Sequence, residues 1–320
     1  MTAKDKTVVI TGANSGIGLH AGMILAGQGA RIVMACRSMN KAQDARDEIL
    51  QAVPNADVVI LPLDVSEIDS VKEFVRLFAE QIGELDILIN NAGVVMRDLK
   101  RNSKGYEMHM ATNYLGAFAL TGLLLPYFKK SVPTRIVNVG SLAHRFGKVD
   151  FDDPNWERTQ YSMWKGYARS KIATAGFTQE LNHRLALCGS NTIALGAHPG
   201  FAATDVGKKN GAAVPRTRFG QWYQDTMEKL VVGKVDDAAL HIVFAAVGEG
   251  VSGGDYYGPT GLFEIKGKTG KAKLNPLAND LEFCRRLWAM SEELTDVRFL
   301  SVAAFDSFEP AKPLLEAVDS

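Results

Sequence analysis

The amino-acid sequence predicts an α/β protein, a single domain built on a doubly wound parallel sheet. Three observations predict it. Short β-branched runs alternate with longer segments of helical period from the start of the chain, the runs are apolar almost throughout, and residues of unusual type stand where the runs end. A strand that is apolar at nearly every position is buried on both faces, as in a parallel sheet covered by helices on either side.

The strand candidates follow in order. "TVVITG" opens the series, and "RIVMACR", "ADVVILPLDV", "LDILINNAG", "TRIVNVGS" and "NTIALGAHPG" continue it. The connections are long enough to carry the crossover helices that parallel neighbours require. Ligands of such sheets bind beyond the carboxyl ends of the strands, and those ends carry Gly12, Arg37, Asp64, Asn90, Ser141 and Pro199. After the sixth strand the rhythm lapses from about Phe201 to Lys234, so residues 201–234 read as a substrate loop or lid. "GGDYYGPTGLFEIKG" reads as a last strand, and residues 268–320 as a C-terminal helix, "LEFCRRLWAMSEEL", with a tail. No repeat, low-complexity tract or linker divides the chain, so residues 1–320 are expected to form one domain.

Composition narrows the function classes. The 320 residues are 46% hydrophobic, enough for one large core. Lys and Arg total 36 against 36 Asp and Glu, so no global field attracts nucleic acid or an anionic membrane. The basic run Lys100, Arg101, Lys104 reads as a solvated loop. Cys36, Cys188 and Cys284 are odd in number and far apart, which fits neither a disulfide framework nor a zinc site and points to a reducing, cytoplasmic setting. The six histidines show no metal-binding spacing either, so no metal is expected. A strand-like run begins almost at once, leaving no room for a secretory signal. "LGAFALTGLLLPYF" is shorter than the roughly 20 residues that span a bilayer and contains Pro126, so it reads as a core helix and no membrane anchor is expected. The oligomeric state is left open, a homo-oligomer included.

"TVVITGANSGIGLHAGMILA" is a strand, a glycine turn and a helix, with Gly12, Gly16 and Gly18 at G-x-x-x-G-x-G spacing. Gly12 permits the turn, Gly16 lets backbone N–H groups approach a pyrophosphate, and Gly18 lets the helix pack closely, its N-terminus facing the anion. The sheet is therefore of Rossmann type, with a bound dinucleotide. NAD-binding sheets of this kind place an acidic residue at the end of the second strand to accept from the ribose 2′-hydroxyl. Here Cys36 stands there, followed by Arg37. A guanidinium pairs with a 2′-phosphate, so NADP(H) is expected ahead of NAD(H).

The stretch "YSMWKGYARSK" holds two interleaved pairs, Tyr161 with Lys165 and Tyr167 with Lys171. Residues four apart share a helix face, where an ammonium can favour the ionised form of a phenol. Gly166, a poor helix-interior residue, follows the first pair, whereas "IATAGFTQEL" continues the second as a regular helix. Tyr167 and Lys171 are thus the candidates for chemistry. Tyr161 and Lys165 are expected in the approach to the helix, with Tyr161 as a pocket or packing residue.

Taken together, "TGANSGIG", "LDV" with Asp64, "NNAG" from Asn90, Asn113 in "ATNYLG", Ser141 in "VGS", "YARSK" and "HPG" from His198 resemble, in order, the motifs of the short-chain dehydrogenase/reductase family over roughly Lys6 to Leu262. "ACRS", "HMATNYLGAFALTGLLLP" and "HPG" are most similar to its retinol-dehydrogenase-like branch. The resemblance implies a catalytic tetrad of Asn113, Ser141, Tyr167 and Lys171. Tyr167 is then the general acid or base, Lys171 lowers its pKa and holds the nicotinamide ribose, Ser141 bonds the substrate oxygen, and Asn113 anchors a water in a proton path. It also implies cofactor contacts at Gly12, Asn14, Ser15, Gly16, Ile17, Gly18, Arg37, Asp64, Val65, Asn91, Ala92, Gly93, Tyr167, Lys171, Pro199, Gly200 and Thr204.

Two departures from the family pattern stand out. Ser15 occupies a place where some NADP-binding members carry a basic residue, leaving Arg37 without that helper. Between Ser141 and Tyr167 lies the extension "LAHRFGKVDFDDPNWERTQYSMWKG", whose Phe151, Trp156, Met163 and Trp164 read equally as walls of a pocket or as packing. The resulting expectation is an NADP(H)-dependent oxidoreductase that interconverts an alcohol with a ketone or aldehyde of a lipophilic small molecule. The alternative is a catalytically silent NADP(H)-binding protein that senses redox state. Phe201, Phe219, Trp222, Tyr223 and Met227 of the excursion favour an apolar substrate, while Lys208, Lys209, Arg216 and Arg218 are read as solvated rather than as a carboxylate site.

Overall fold

The computed structural model describes residues 2–200 and 235–301. An eight-stranded sheet in the order β3-β2-β1-β4-β5-β6-β7-β8 runs through its centre. The strands are β1 (Thr7–Thr11), β2 (Arg31–Cys36), β3 (Val58–Pro62), β4 (Ile87–Asn90), β5 (Thr134–Val139), β6 (Thr192–Ala197), β7 (Tyr256–Pro259) and β8 (Thr269–Lys271). The first seven pair in parallel, and β8 runs antiparallel to β7. β4 and β5 are buried at every residue, including the polar Asn90, Thr134, Arg135 and Asn138.

Alternate side chains of each strand feed two cores. Val8 and Ile10 point into one with α1 (Gly16–Gly27), α2 (Met39–Ala52) and α7 (Val235–Val247). Val9 points into the other, with α3 (Ile68–Gln81), α5 (Gly116–Leu124), α6 (Met163–Leu187) and α8 (Leu281–Thr295). Helix α3 shows why such segments fold as they do. Val71, Phe74, Val75 and Phe78 recur on one buried stripe, while Arg76 on the outer face pairs with Glu73 and Glu80. Strand order reverses between β1 and β4, which opens a crevice at their carboxyl ends.

Several expectations change. Residues from 268 onward begin with β8, not with a helix; its sequence, "TGK", has no apolar signal because an edge strand is held by backbone pairing to β7. The helix carrying Asn113 is not uniform. It starts as α4 (Met108–Met110), passes through a π-turn over Ala111–Leu115 and continues as α5. The segment "LGAFALTGLLLPYF" is buried core along α5, as expected, and tightens to a 3-10 turn at Leu125–Tyr127 around Pro126. Among the described residues, no helix is long and apolar enough to cross a membrane. The expected loop at 201–234, Thr204 included, lies outside the described residues.

Candidate active site

The crevice holds a cavity of about 670 Å³. Its lining joins Gly12, Asn14, Ser15, Gly16 and Ile17 of the first turn to Arg37 beyond β2, Asp64 and Val65 beyond β3, and Asn91, Ala92 and Gly93 beyond β4. Ser141 beyond β5, Tyr167 and Lys171 of α6, and Pro199 and Gly200 beyond β6 complete it. Two expected residues stand behind the wall rather than in it. Gly18 packs against the Gly12 carbonyl and the Asn91 side chain, where any larger residue would collide, and Asn113 is buried in the π-turn.

The lining fits a dinucleotide. Gly16 has a φ of +55°, and a Cβ placed on it would meet no protein atom within 4 Å; it would project into open space at the start of α1, where backbone N–H groups face an anion. The turn beyond β4 is tied to β1: the Thr11 hydroxyl oxygen accepts from the N–H groups of Asn91 (2.9 Å) and Ala92 (2.8 Å), and Asn91 Nδ2 donates to the Thr11 carbonyl at 2.8 Å. Thus the "NNAG" asparagines work structurally. Asn90 continues the frame by donating to Thr121 and to Asn138, which donates in turn to Thr178.

At the far end from the glycine turn, Ser141 caps a 3-10 turn (Leu142–Phe146), its Oγ accepting from Ala143 N at 3.2 Å. The same hydroxyl bonds Tyr167, an interaction that lowers the Tyr167 pKa; enclosure by protein outweighs it and leaves the phenol above its ordinary value. Lys171 donates to the Val139 carbonyl at 2.8 Å, and its burial brings its pKa down to about 8. Burial of both side chains thus opposes the charged form of each, and the Ser141 bond is what favours the Tyr167 phenolate. Asn113 Oδ1 accepts from Val94 N at 2.7 Å, and its Nδ2 donates to the Val94 carbonyl (3.1 Å) and to Ser170 Oγ (3.0 Å). It clamps the loop beyond β4 onto α6.

The second pair splits. Tyr161 precedes α6, as expected, but Lys165 lies in its first turn, and Gly166 is inside the helix because its bare Cα lets His109 Nδ1 and the Tyr161 ring approach. Tyr161 belongs to a buried network that sequence reasoning missed. Met96 N donates to His109 Nε2 at 2.8 Å, which puts the ring hydrogen on Nδ1, 2.9 Å from Glu107. Tyr161 donates to the Met96 carbonyl at 3.1 Å. Glu107 also accepts from the backbone N–H groups of His109 and Met110; against the raising effect of burial, the His109 side chain first and these two bonds after it hold its pKa below the ordinary value. The His109 ring meets Tyr167 edge-on, with centroids 5.9 Å apart.

At the opposite end, Cys36 is buried and its thiol is pushed up to about 11, so no negative charge stands at the end of β2. Arg37 is 72% exposed and reaches Asp64 only at 3.4 Å. Lys41, in the first turn of α2, lines the same cavity and was invisible as a site residue in the sequence. The end away from the glycine turn is also lined by Val94, Val95, Leu142, Ala143, Phe146 and Trp164. Of the extension's four candidate wall residues, Phe151, Trp156, Met163 and Trp164, only Trp164 lines this cavity. Trp156 is buried against Tyr161, and Phe151 packs on Phe283. His198 is buried and neutral, its pKa brought down to about 3 chiefly by burial. Among the described residues no cluster suited to a metal ion occurs.

Comparison with known proteins bears on this geometry. The family model described as short chain dehydrogenase matches residues 6–214. Human retinol dehydrogenase 13 is 38% identical over 303 residues, spanning 94% of this chain and 88% of its own. Human retinol dehydrogenase 12 is 36% identical over 294 residues, spanning 92% and 87%. A crystal structure of an uncharacterised protein from Mycobacterium paratuberculosis superposes with a TM-score of 0.75 at 34% identity, covering 93% of this chain and 96% of that one. The chain belongs to the short-chain dehydrogenase/reductase family, in its retinol-dehydrogenase-like branch, whose members are oxidoreductases that interconvert alcohols and carbonyl compounds with a nicotinamide cofactor.

Proposed function

We propose that the protein is an NADP(H)-dependent oxidoreductase acting on the alcohol/carbonyl pair of a lipophilic small molecule, with Tyr167 as acid and base. The observation that carries this reading is the convergence of Ser141, Tyr167 and Lys171 on the cavity that begins at the glycine turn. The bound nicotinamide would supply or accept the hydride. The chain's own residues handle the oxygen and its proton. Ser141 and Tyr167 donate to the carbonyl oxygen as negative charge develops there, and Tyr167 passes it a proton. In the reverse direction the phenolate removes the proton of the alcohol. Lys171, one turn along α6, would hold the ribose, and the clamp made by Asn113 fixes the loop beyond β4 that would border the nicotinamide.

NADP(H) is favoured by charge. An uncharged thiol at Cys36 offers no carboxylate to a ribose 2′-hydroxyl, whereas Arg37 and Lys41 offer two cations to a 2′-phosphate. Its exposed 3.4 Å pairing with Asp64 is weak enough for Arg37 to turn toward a phosphate. Lys41 takes the part that Ser15 cannot. The apolar side chains around Phe146 and Trp164 suit a lipophilic substrate, as does the alcohol for which the relatives are named. Oxidation of NADPH in the presence of matched lipophilic and hydrophilic aldehydes and ketones tests the reading. Turnover of the lipophilic members supports it, and binding of NADPH with no turnover of any member would favour the redox-sensing alternative.

A further inference from the structure

Three rings stand beside Ser141, outside the lining of the cofactor cleft, and form a buried stack. His198 and Tyr256 lie nearly parallel with centroids 5.5 Å apart, and His144 meets Tyr256 edge-on at 5.1 Å. His144 Nδ1 donates to the Ser141 carbonyl at 2.5 Å, which ties the stack to the 3-10 turn that Ser141 caps. Two glycines leave room for the rings. A side chain at Gly140, just beyond β5, would collide with Tyr256, and one at Gly258 of β7 with His198.

One carboxylate spans the turns on either side of this stack. Glu264 Oε2 lies 2.6 Å from Arg145 Nη2 and 3.3 Å from His198 Nε2, while Oε1 accepts from Lys273 N at 3.2 Å. The His198 tautomer suits that contact: Nδ1 accepts from Gly200 N at 3.1 Å, so in the neutral ring the hydrogen is on Nε2, toward Glu264. Arg145 belongs to the turn capped by Ser141, and His198 precedes Pro199 and Gly200, which line the cleft. Glu264 is therefore joined to two walls of the cleft at once. The segment that follows it adds a further tie, from Asn275 Nδ2 to the carbonyls of His144 (3.3 Å) and Arg145 (3.1 Å).

The backbone that presents this carboxylate is strained. Phe263 and Glu264 have φ of +54° and +59°, a region that costs non-glycine residues energy and persists where neighbouring contacts over-determine it. Leu262 and Phe263 remain 79% and 72% exposed, so burial of apolar side chains does not offset that cost, and the contacts of Glu264 do so instead. We propose that Glu264 is a positioning residue of the reaction: through Arg145 and His198 it fixes the turn capped by Ser141 against Pro199 and Gly200, and so places the Ser141 hydroxyl against the reacting oxygen. Glu264 is not in the lining of the cleft and acts through Ser141. The inference rests on the alcohol/carbonyl chemistry proposed above.

The test measures NADPH oxidation by the full chain with a lipophilic ketone or aldehyde, kcat being referred to the concentration of NADPH-binding sites so that unfolded protein does not count. Glu264→Ala should lower kcat about tenfold, less than the loss of an oxyanion donor itself, and change NADPH affinity by less than about threefold. In a Ser141→Ala background, slower in itself, adding Glu264→Ala should lower kcat by less than about twofold, because the group it positions is gone. Arg145→Met cuts the same bridge at a half-buried position, carries the same expectation and serves if Glu264→Ala fails to fold. An equal loss in both backgrounds makes Glu264 a structural residue and overturns the proposal, as does an undiminished kcat when Ser141 is present. A wild type that binds NADPH and reduces no carbonyl compound overturns the function proposed above, and this inference with it.

Discussion

The ammonium nitrogen of Lys171 lies 2.8 Å from the carbonyl oxygen of Val139 and 5.8 Å from the centre of the Tyr167 ring. The lysine is 5% exposed and has no carboxylate partner among the described residues. Burial without a counter-charge disfavours its charged form, which is the cause of its lowered pKa. On the proposed function, a residue kept in that state serves the reaction at the expense of the fold.

Lys171→Met should therefore stabilise the cofactor-free protein while abolishing turnover. The folded-state pKa of about 8 lies below the ordinary 10.5, so the unfolded chain binds more protons between those values. Stability rises with pH across that window, and the cost of the buried charge is fully present below it. At pH 7 the variant should melt a few degrees higher, an effect on the order of 1 kcal/mol, and the difference should shrink near pH 10. A lower melting temperature at pH 7 would contradict this assignment.

Cofactor choice should rest on Arg37 and Lys41. Replacing both by Ala is expected to weaken NADPH binding about 100-fold, roughly one factor of ten per lost charge, and NADH binding about twofold. Fluorescence titration of both cofactors measures it. Equal losses would place the two cations elsewhere in the account.

Glu107 should be a stability residue. Glu107→Gln sets an amide donor against the N–H groups that now converge on the carboxylate, and a loss of about 2–4 kcal/mol is expected in denaturant titrations. Its folded-state pKa is lowered, so its contribution is present above the ordinary carboxylate value and is lost as pH falls through the folded one. The wild-type protein should thus lose stability more steeply than the variant on the acid side. Parallel curves would remove Glu107 from the acid transition.

Trp164 is 66% exposed at the mouth of the cavity, where it can cover an apolar substrate. Trp164→Ala should raise KM for bulky lipophilic carbonyl compounds about tenfold and leave KM for the smallest ketones nearly unchanged. A uniform effect across the series would make Trp164 a structural residue.

The sequence shows the sheet and most of the site for one reason: each demanding position calls for a particular residue type at a fixed distance along the chain. Gly12, Gly16 and Gly18 shape a turn, and Tyr167 with Lys171 marks a helix face. Lys41 carries no such mark, because a lysine in the first turn of α2 becomes a site residue only once β2 and the first turn are placed beside it. The Glu107–His109–Tyr161 network joins segments 52 residues apart and depends on the way Gly166 admits His109 to the catalytic helix. Strand β8 has no apolar pattern, and the π-turn around Asn113 follows from side-chain bonds to Val94 and Ser170 that no periodicity reveals.

The two tyrosines offer the most direct test of the central claim. Tyr167 lines the cavity and bonds Ser141, whereas Tyr161 donates to the Met96 carbonyl outside it. NADPH oxidation with a lipophilic aldehyde or ketone should be measured for Tyr167→Phe and Tyr161→Phe beside the wild type. Tyr167→Phe is expected to lower kcat by about 10²–10⁴-fold with NADPH affinity nearly unchanged, since it removes a proton donor and little binding surface. Tyr161→Phe should stay within about tenfold of wild type, the effect of a lost supporting hydrogen bond. An inactive Tyr161→Phe beside an active Tyr167→Phe would contradict the assignment of Tyr167 as the acid and base.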